Sequence, residues 1–283
     1  MKITIASGKG GTGKTTVAVN LAVAVKEAGI DVCLVDCDVE EPNCHLFFAK
    51  NRYDNHVDVS TKVPLIDEQK CTGCGLCGDF CAFNALACMN KKVLLYAELC
   101  HGCGGCWLVC PEEAISEVDR PIGKIQWGER EGFTFIEGRL NVGEPIAPPV
   151  VQATKEVIPK GKLAIVDGPP GTSCSMVETV RDSSLVILVA EPTPFGLNDL
   201  RLAVEVVREL DLSSAVVINK SGKHDGDIEA FCAVRSIPVI GKIPHGRAIA
   251  HHYASGDILY HSLPEMKVVF SAIAKEVVGR LTP

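Results

Sequence analysis

Long apolar runs are missing from this 283-residue chain. No stretch approaches the ~20 residues needed to span a bilayer, so stable membrane insertion is not expected. Positive charge is also scarce. Asp and Glu outnumber Lys and Arg by 35 to 28, a formal net charge of −7 that argues against a nucleic-acid partner or anionic lipid. A charged-then-apolar leader is lacking too: Met1-Lys2-Ile3-Thr4-Ile5-Ala6 reads as a strand running into glycines, and a cytoplasmic protein is expected. Hydrophobic residues at 47% and charged residues at 22% are ordinary for a globular chain, so disorder is not the default. Cysteine is the residue in excess. Fourteen of them in a reducing compartment point to metal ligation rather than a disulfide framework.

The cysteines are unevenly spread. Residues 1–30 and 233–283 have none, whereas eight fall in two tight runs between Cys71 and Cys110. On either side, short β-branched runs alternate with helical patterns. Candidate strands are Lys2–Ala6, Asp31–Val35, Leu163–Val166, Leu185–Val189, Ala215–Ile218 and Pro238–Ile240. Candidate helices are Lys14–Ala28, Ser173–Asp182, Leu197–Leu210, Asp227–Ser236 and Glu265–Leu281. Strands this apolar suit a mainly parallel sheet buried on both faces by helices. The expected fold class is therefore α/β, with 1–58 and 119–283 forming one discontinuous domain and 59–118 a small inserted α+β module. Residues 121–146, rich in glycine with Trp127, Phe133 and Phe135, read as a short antiparallel excursion, and Ala147-Pro148-Pro149 as a helix start.

Gly8-Lys9-Gly10-Gly11-Thr12-Gly13-Lys14-Thr15 follows a strand and opens a helix. It fits the G-x-x-x-x-G-K-[ST] phosphate loop, in which backbone N–H groups and a helix N-terminus cradle phosphate oxygens. Thr16 continues the loop into the helix. Lys14 is expected to reach the β- and γ-phosphates of ATP or ADP, and the Thr15 hydroxyl to ligate Mg²⁺. Gly8, Gly10 and Gly13 also satisfy G-x-G-x-x-G, with Asp36 placed about 20 residues on as a dinucleotide site requires. That rival has no use for the Lys14-Thr15 pair, nor for Asp167 closing the later strand Ala164-Ile165-Val166.

These residues carry a family resemblance. The additional Lys9 before Gly10-Gly11 resembles the deviant P-loop of the MinD/ParA/Mrp and nitrogenase iron-protein superfamily. Asp36-Cys37-Asp38-Val39-Glu40-Glu41-Pro42-Asn43 resembles its first switch. Asp167-Gly168-Pro169-Pro170-Gly171-Thr172 resembles its second, closest to the Mrp-type branch. Val217-Ile218-Asn219-Lys220 resembles the strand end whose asparagine recognises adenine. The resemblance implies a nucleotide-sandwich dimer, either a homodimer or a heterodimer with a related ATPase. It implies that Lys9 crosses to the partner's nucleotide, that Asp38 positions the attacking water, and that Asp36, Asp38 and Asp167 stand in or near the Mg²⁺ shell.

Cys71-x2-Cys74-x2-Cys77-x3-Cys81 and Cys100-x2-Cys103-x2-Cys106-x3-Cys110-Pro111 each match the bacterial ferredoxin run. Three cysteines of a run hold one cubane and the fourth reaches the other. Two [4Fe–4S] clusters are thus expected, one on Cys71, Cys74, Cys77 and Cys110, the other on Cys100, Cys103, Cys106 and Cys81. Structural zinc is the competing reading, but successive x2 gaps crowd its tetrahedral geometry. Ala82 stands where such a run often has proline, which leaves the ligands intact. Cys33, Cys37, Cys44, Cys88 and Cys232 read as small buried hydrophobes. Cys174 falls where the nitrogenase iron protein places a ligand for a bridging cluster, with no obvious second ligand in this chain. His251-His252 reads as a surface pair. The C-terminal helix is expected to pack on the sheet through Val268, Val269, Ile273, Val277 and Leu281.

Together these readings predict an ATP-hydrolysing iron–sulfur protein acting in cofactor assembly with a redox or cofactor-assembly partner. An ATP-gated electron-transfer component is the alternative, and a MinD-like positioning ATPase a third reading that leaves the clusters without a purpose. The Mrp-type C-x-x-C near the C-terminus is missing, which bears against direct cluster carriage.

Overall fold

The Val/Ile/Leu runs form strands in the order their spacing predicts, as the computed structural model, which describes residues 1–48 and 53–281, makes plain. The chain opens with β1 (Lys2–Ser7), α1 (Lys14–Glu27) and β2 (Val32–Asp36), followed by a 3₁₀ turn at Cys44–Phe47. Next come β3 (Asn55–Ile66), α2 (Leu76–Phe80), β4 (Leu86–Met89), β5 (Lys92–Leu95), α3 (Gly105–Leu108) and β6 (Ile115–Arg130). β7 (Phe133–Leu140) and α4 (Pro148–Glu156) return the chain to a regular alternation. That alternation runs through β8 (Leu163–Pro170), α5 (Cys174–Val180), β9 (Leu185–Ala190), α6 (Pro194–Glu209), β10 (Ser214–Ser221), α7 (Asp225–Val234) and β11 (Val239–Pro244). Helices α8 (Arg247–Ala254), α9 (Leu259–Ser262) and α10 (Pro264–Leu281) close it.

One nine-stranded sheet has the order β11-β10-β9-β1-β8-β2-β7-β6-β3. Pairing is parallel from β11 to β7, and antiparallel between β7 and β6 and between β6 and β3. The carboxyl ends of the parallel strands lie along one edge, the usual place for a ligand crevice in such sheets. α1 and α10 cover one face, over Ile3, Ile5, Leu34 and Ile165; α6 and α7 cover the other, over Val186, Leu188 and Val216. Every residue of α1 from Thr16 to Val25 is buried, as a helix apolar all round must be, because α9 and α10 shield its outer side. Asn20 fastens that layer: its amide donates to Thr16 O at 2.8 Å and its Oδ1 accepts from the Tyr260 N–H at 2.7 Å.

The structure corrects two expectations. In α10 the buried stripe is Met266, Phe270, Ile273, Ala274 and Val277, whereas Val268 is 71% exposed. Ile273 and Val277 were placed correctly. The stripe follows the i, i+4, i+7, i+8, i+11 spacing that the α1 contact demands, and Val268 falls off it. Phe270, fully buried, sets the size of that contact: Phe270→Ala should cost about 3–5 kcal/mol in urea unfolding, and a loss below about 1 kcal/mol would show that α10 is dispensable to the core. Second, 121–146 is no short excursion. β6 is 16 residues long, and β7 enters the main sheet parallel to β2.

β3 and β6 pair from Asn55↔Trp127 to Ile66↔Ile115. Only the inner part of β6, from Gly123 to Arg130, also pairs with β7, so beyond it the two strands run as a ribbon, paired only with each other, with Arg120 held to Glu144 and Pro121 O to Asn141. A register shift between Val59 and Ser60 marks its base, where Pro121 has no N–H to give the ladder. Asp119 stands within this ribbon, opposite Lys62, whereas Asp58 lies just inside its base, opposite Lys124. Its tip carries residues 67–114, with α2, α3 and the β4–β5 hairpin. Among the described residues, no helix is long and apolar enough to cross a membrane.

Candidate nucleotide and thiol sites

The loop from Gly8 to Gly13 links β1 to α1 at the carboxyl edge. Gly13 has φ +94, and a Cβ there would strike the Asn219 amide, so only glycine lets that amide approach the loop. Asn219 Nδ2 donates to Thr12 O at 2.7 Å. The residue expected at adenine thus also braces the phosphate loop from β10. Gly8 packs on the Asp199 backbone, and Ser7 Oγ donates to Lys9 O at 2.6 Å. A cavity of about 1210 Å³ opens above the loop, lined by Gly10, Gly11, Lys14, Thr15 and Thr16 from one side and Asp38 from another. Lys9 Nζ lies 3.4 Å from Glu191 Oε2, and Lys220 pairs with the other oxygen of that carboxylate. In the single chain, therefore, Lys9 is turned onto its own subunit.

Three acids form one row across three neighbouring strands. In register, Asp36 of β2 pairs with Asp167 of β8 on one side and with Glu137 of β7 on the other. All three are buried, at 0%, 1% and 0% exposure. Burial, then the neighbouring Asp167 charge, pushes the Asp36 carboxyl well above its usual range, and burial raises Asp167 as well. Asp38 is pushed up to about 7, by burial first and Asp167 second, with Lys14 opposing. Burial holds the Lys14 ammonium below its ordinary value, against the pull of Asp167 and Asp38. Asp36 organises the loop after β2: it accepts from the Asp38 N–H at 3.1 Å and from the Asn43 and Cys44 N–H groups, each at 2.9 Å.

The residues fit a divalent cation. Asp167 Oδ1 is buried and accepts no hydrogen bond, an unpaired acceptor of the kind a cation or its water satisfies. Thr15 stands beside Asp167. Cys44 was expected as a plain buried hydrophobe, and it is fully buried. Its Sγ nonetheless donates to Asp167 Oδ2 at 3.4 Å, so it is also part of the acid row. Glu137 was not anticipated at all. The signal for it was an acid at an inward position of the alternating strand Phe133-Thr134-Phe135-Ile136-Glu137.

At the ribbon tip the eight run cysteines surround two cavities. Cys71, Cys74, Cys77 and Cys110 line one of about 340 Å³, together with Ile66 and Val93. Cys81, Cys100, Cys103 and Cys106 line one of about 450 Å³, with Phe80, Phe83 and Trp107. The first three residues of each run thus meet the fourth of the other. The two copies share backbone shape: φ is +67 and +87 at Gly73 and Gly75, and +65 and +74 at Gly102 and Gly104. Among the described residues, no three thiols of either quartet lie within 4.8 Å of one another. Burial raises the Cys77 and Cys106 thiols.

The remaining cysteines divide. Cys33, Cys37 and Cys232 are buried as expected. Cys88 is not: it sits half-exposed on β4, with Sγ 3.2 Å from Gly73 O, because the hairpin lies against the first cysteine loop rather than in a core. Cys174 is exposed at the start of α5. His252 Nδ1 lies 2.8 Å from Asp257 Oδ2 at the end of α8.

Comparison with known proteins agrees with this geometry. Residues 3–259 match the CobQ/CobB/MinD/ParA nucleotide binding domain family. An uncharacterized protein of Methanocaldococcus jannaschii is 34% identical over 247 residues, 86% of each chain. An iron-sulfur cluster carrier protein of Pyrococcus furiosus is 24% identical over 305 residues, 99% of this chain and 86% of that one. Among solved structures, the septum site-determining protein MinD of Pyrococcus horikoshii, complexed with Mg-ADP, shares the fold. Its TM-score is 0.62 at 22% identity, over 98% of this chain and 95% of that one. With its phosphate loop at the carboxyl edge of a parallel sheet, the chain belongs to the CobQ/CobB/MinD/ParA nucleotide-binding family and is a P-loop ATPase.

Proposed function

We propose that this ATPase works as a nucleotide-sandwich dimer whose ATP state is coupled to a ferredoxin-like module, 59–118, set between the two parts of the ATPase domain, 1–58 and 119–283. Two [4Fe–4S] clusters would be held there, one by Cys71, Cys74, Cys77 and Cys110 and one by Cys100, Cys103, Cys106 and Cys81. The observation that carries this is the division of eight thiols into two quartets, each around its own apolar-walled cavity. Single zinc ions fit less well: Zn–S bonds of about 2.3 Å would draw four thiols to about 3.8 Å apart, closer than either quartet stands. When bound, such clusters supply one-electron exchange.

At the nucleotide, the loop N–H groups and Lys14 hold the phosphates, and the Thr15 hydroxyl with Asp36 and Asp167 organises Mg²⁺. Asp38 orients the attacking water. Lys9 leaves Glu191 and stabilises charge on the partner's phosphoryl group. The resulting role is iron–sulfur or metal cofactor assembly, supported by similarity over nearly the whole chain to proteins named iron-sulfur cluster carriers. A second reading, an ATP-gated electron-transfer component, is favoured by the exposed aromatic rim of one cavity, Phe80 at 53%, Phe83 at 43% and Trp107 at 43%. Such a patch suits docking of another protein.

Anaerobically prepared protein should carry about eight iron and eight sulfide per chain; zinc without sulfide would overturn the cluster reading. Adding ATP with an apo-acceptor then separates the two roles. Iron passing to the acceptor supports assembly, whereas iron retained with a shifted reduction potential supports electron transfer.

A further inference from the structure

The third acid of the row has no part in holding phosphate or cation, yet it meets both the loop after Asp38 and the residue that leads into β3. Glu137 sits on β7, between β2 and β6 in the sheet, and its carboxylate is fully buried. His45 Nδ1 stands 2.9 Å from Glu137 Oε2, close but without hydrogen-bond geometry, and the Tyr53 hydroxyl donates to the same oxygen at 2.8 Å. Arg139 donates to Oε1 from Nε at 3.3 Å and from Nη2 at 3.0 Å. His45 belongs to the 3₁₀ turn that begins at Cys44, whose N–H is held by Asp36. Tyr53 lies two residues before β3, the outer strand of the ribbon. One buried oxygen therefore joins the loop that follows Asp38 to the root of the strand leading to the thiols.

We propose that Glu137 is the positioning residue that transmits nucleotide occupancy to the ribbon, an inference that rests on the coupling proposed above. Glu137 is fixed by β-ladder pairing on both sides, to Asp36 and to Gln126, so it cannot follow the loop. When nucleotide draws the 38–48 segment toward the phosphate, His45 is withdrawn from Oε2 and Tyr53 is left with that oxygen. The root of β3 then takes a different set of contacts. Coupling between distant sites is carried by elements with two discrete arrangements, and withdrawal of His45 from Oε2 would supply the second one here.

The test is hydrogen exchange over 55–66 and 115–130 in the cluster-loaded full chain, with and without the slowly hydrolysed analogue ATPγS. Wild type should show a nucleotide-dependent change in the ribbon. Glu137→Gln, which keeps the volume and removes the charge, should bind ATPγS as wild type does but lose that change by about fivefold or more, the lower range of coupling between sites. If wild type shows no change, the coupling reading itself falls. If wild type responds and Glu137→Gln responds equally, Glu137 is not the connection. Should Glu137→Gln fail to fold, Tyr53→Phe decides: it deletes only the hydroxyl on Oε2, and a wild-type response in that variant would overturn the inference.

Discussion

Lys9→Ala should leave ATP binding intact and cut turnover by about 10³-fold or more, the scale on which a charge supplied across an interface acts in phosphoryl transfer. That corresponds to about 4 kcal/mol in the barrier. Lys14→Ala should instead abolish binding. The contrast follows from where the two ammonium groups sit. Lys14 is buried beside Asp167 and Asp38 at the floor of the cavity, so its removal leaves phosphate charge facing these two acids. Lys9 does not line the cavity, and it lies against Glu191. It can be lost without changing what the nucleotide meets in its own subunit. Equilibrium binding of ATP and steady-state phosphate release, measured on both variants, check this. Equal turnover by wild type and Lys9→Ala would remove Lys9 from the mechanism.

The second large effect concerns the crossed thiols. Cys110→Ala should take about four iron from the cavity lined by Cys71, Cys74 and Cys77, leaving about four in the other, although Cys110 belongs in sequence to the second run. Cys81→Ala should do the reverse. The double variant Cys71→Ala/Cys110→Ala should lose no more iron than Cys110→Ala alone, because both residues line one cavity. Were the runs independent, Cys71→Ala/Cys110→Ala would instead empty both sites. Iron and sulfide analysis on anaerobic protein distinguishes these outcomes, and nucleotide binding should be unaffected in all of them.

Much of this was legible in the sequence, for a physical reason. A phosphate loop needs contiguous residues, because consecutive backbone N–H groups do the binding, and a cluster run needs close cysteines for the same kind of reason. Asp36 and Asp167 could be read as well, since each closes an apolar run. What escaped depends on neighbours distant in the chain. Glu137 acquires its place in the acid row from a register match with Asp36, which no local pattern encodes. Cys44 looked like filler until the fold set its Sγ against Asp167. The ribbon was hidden because much of β3 and β6 is solvated on both faces, so neither strand shows the alternation by which a half-buried strand is recognised. α10 was recognised as a helix but misphased, because apolar residues on both sides of the true stripe allow two readings.

The ribbon also has a mechanical consequence. Beyond the register shift, Ser60 to Ile66 and their partners stand clear of β7, an arm of seven residues and about 24 Å at the usual rise per residue. Two-stranded ribbons twist more readily than wide sheets, and a bulge at the root concentrates the bend there. A swivel of about 15°, the size of a common rigid-body rotation, would sweep the tip through an arc of about 6 Å. A displacement too small to notice beside Glu137 would thus be enlarged, at the thiols, to more than the diameter of an atom.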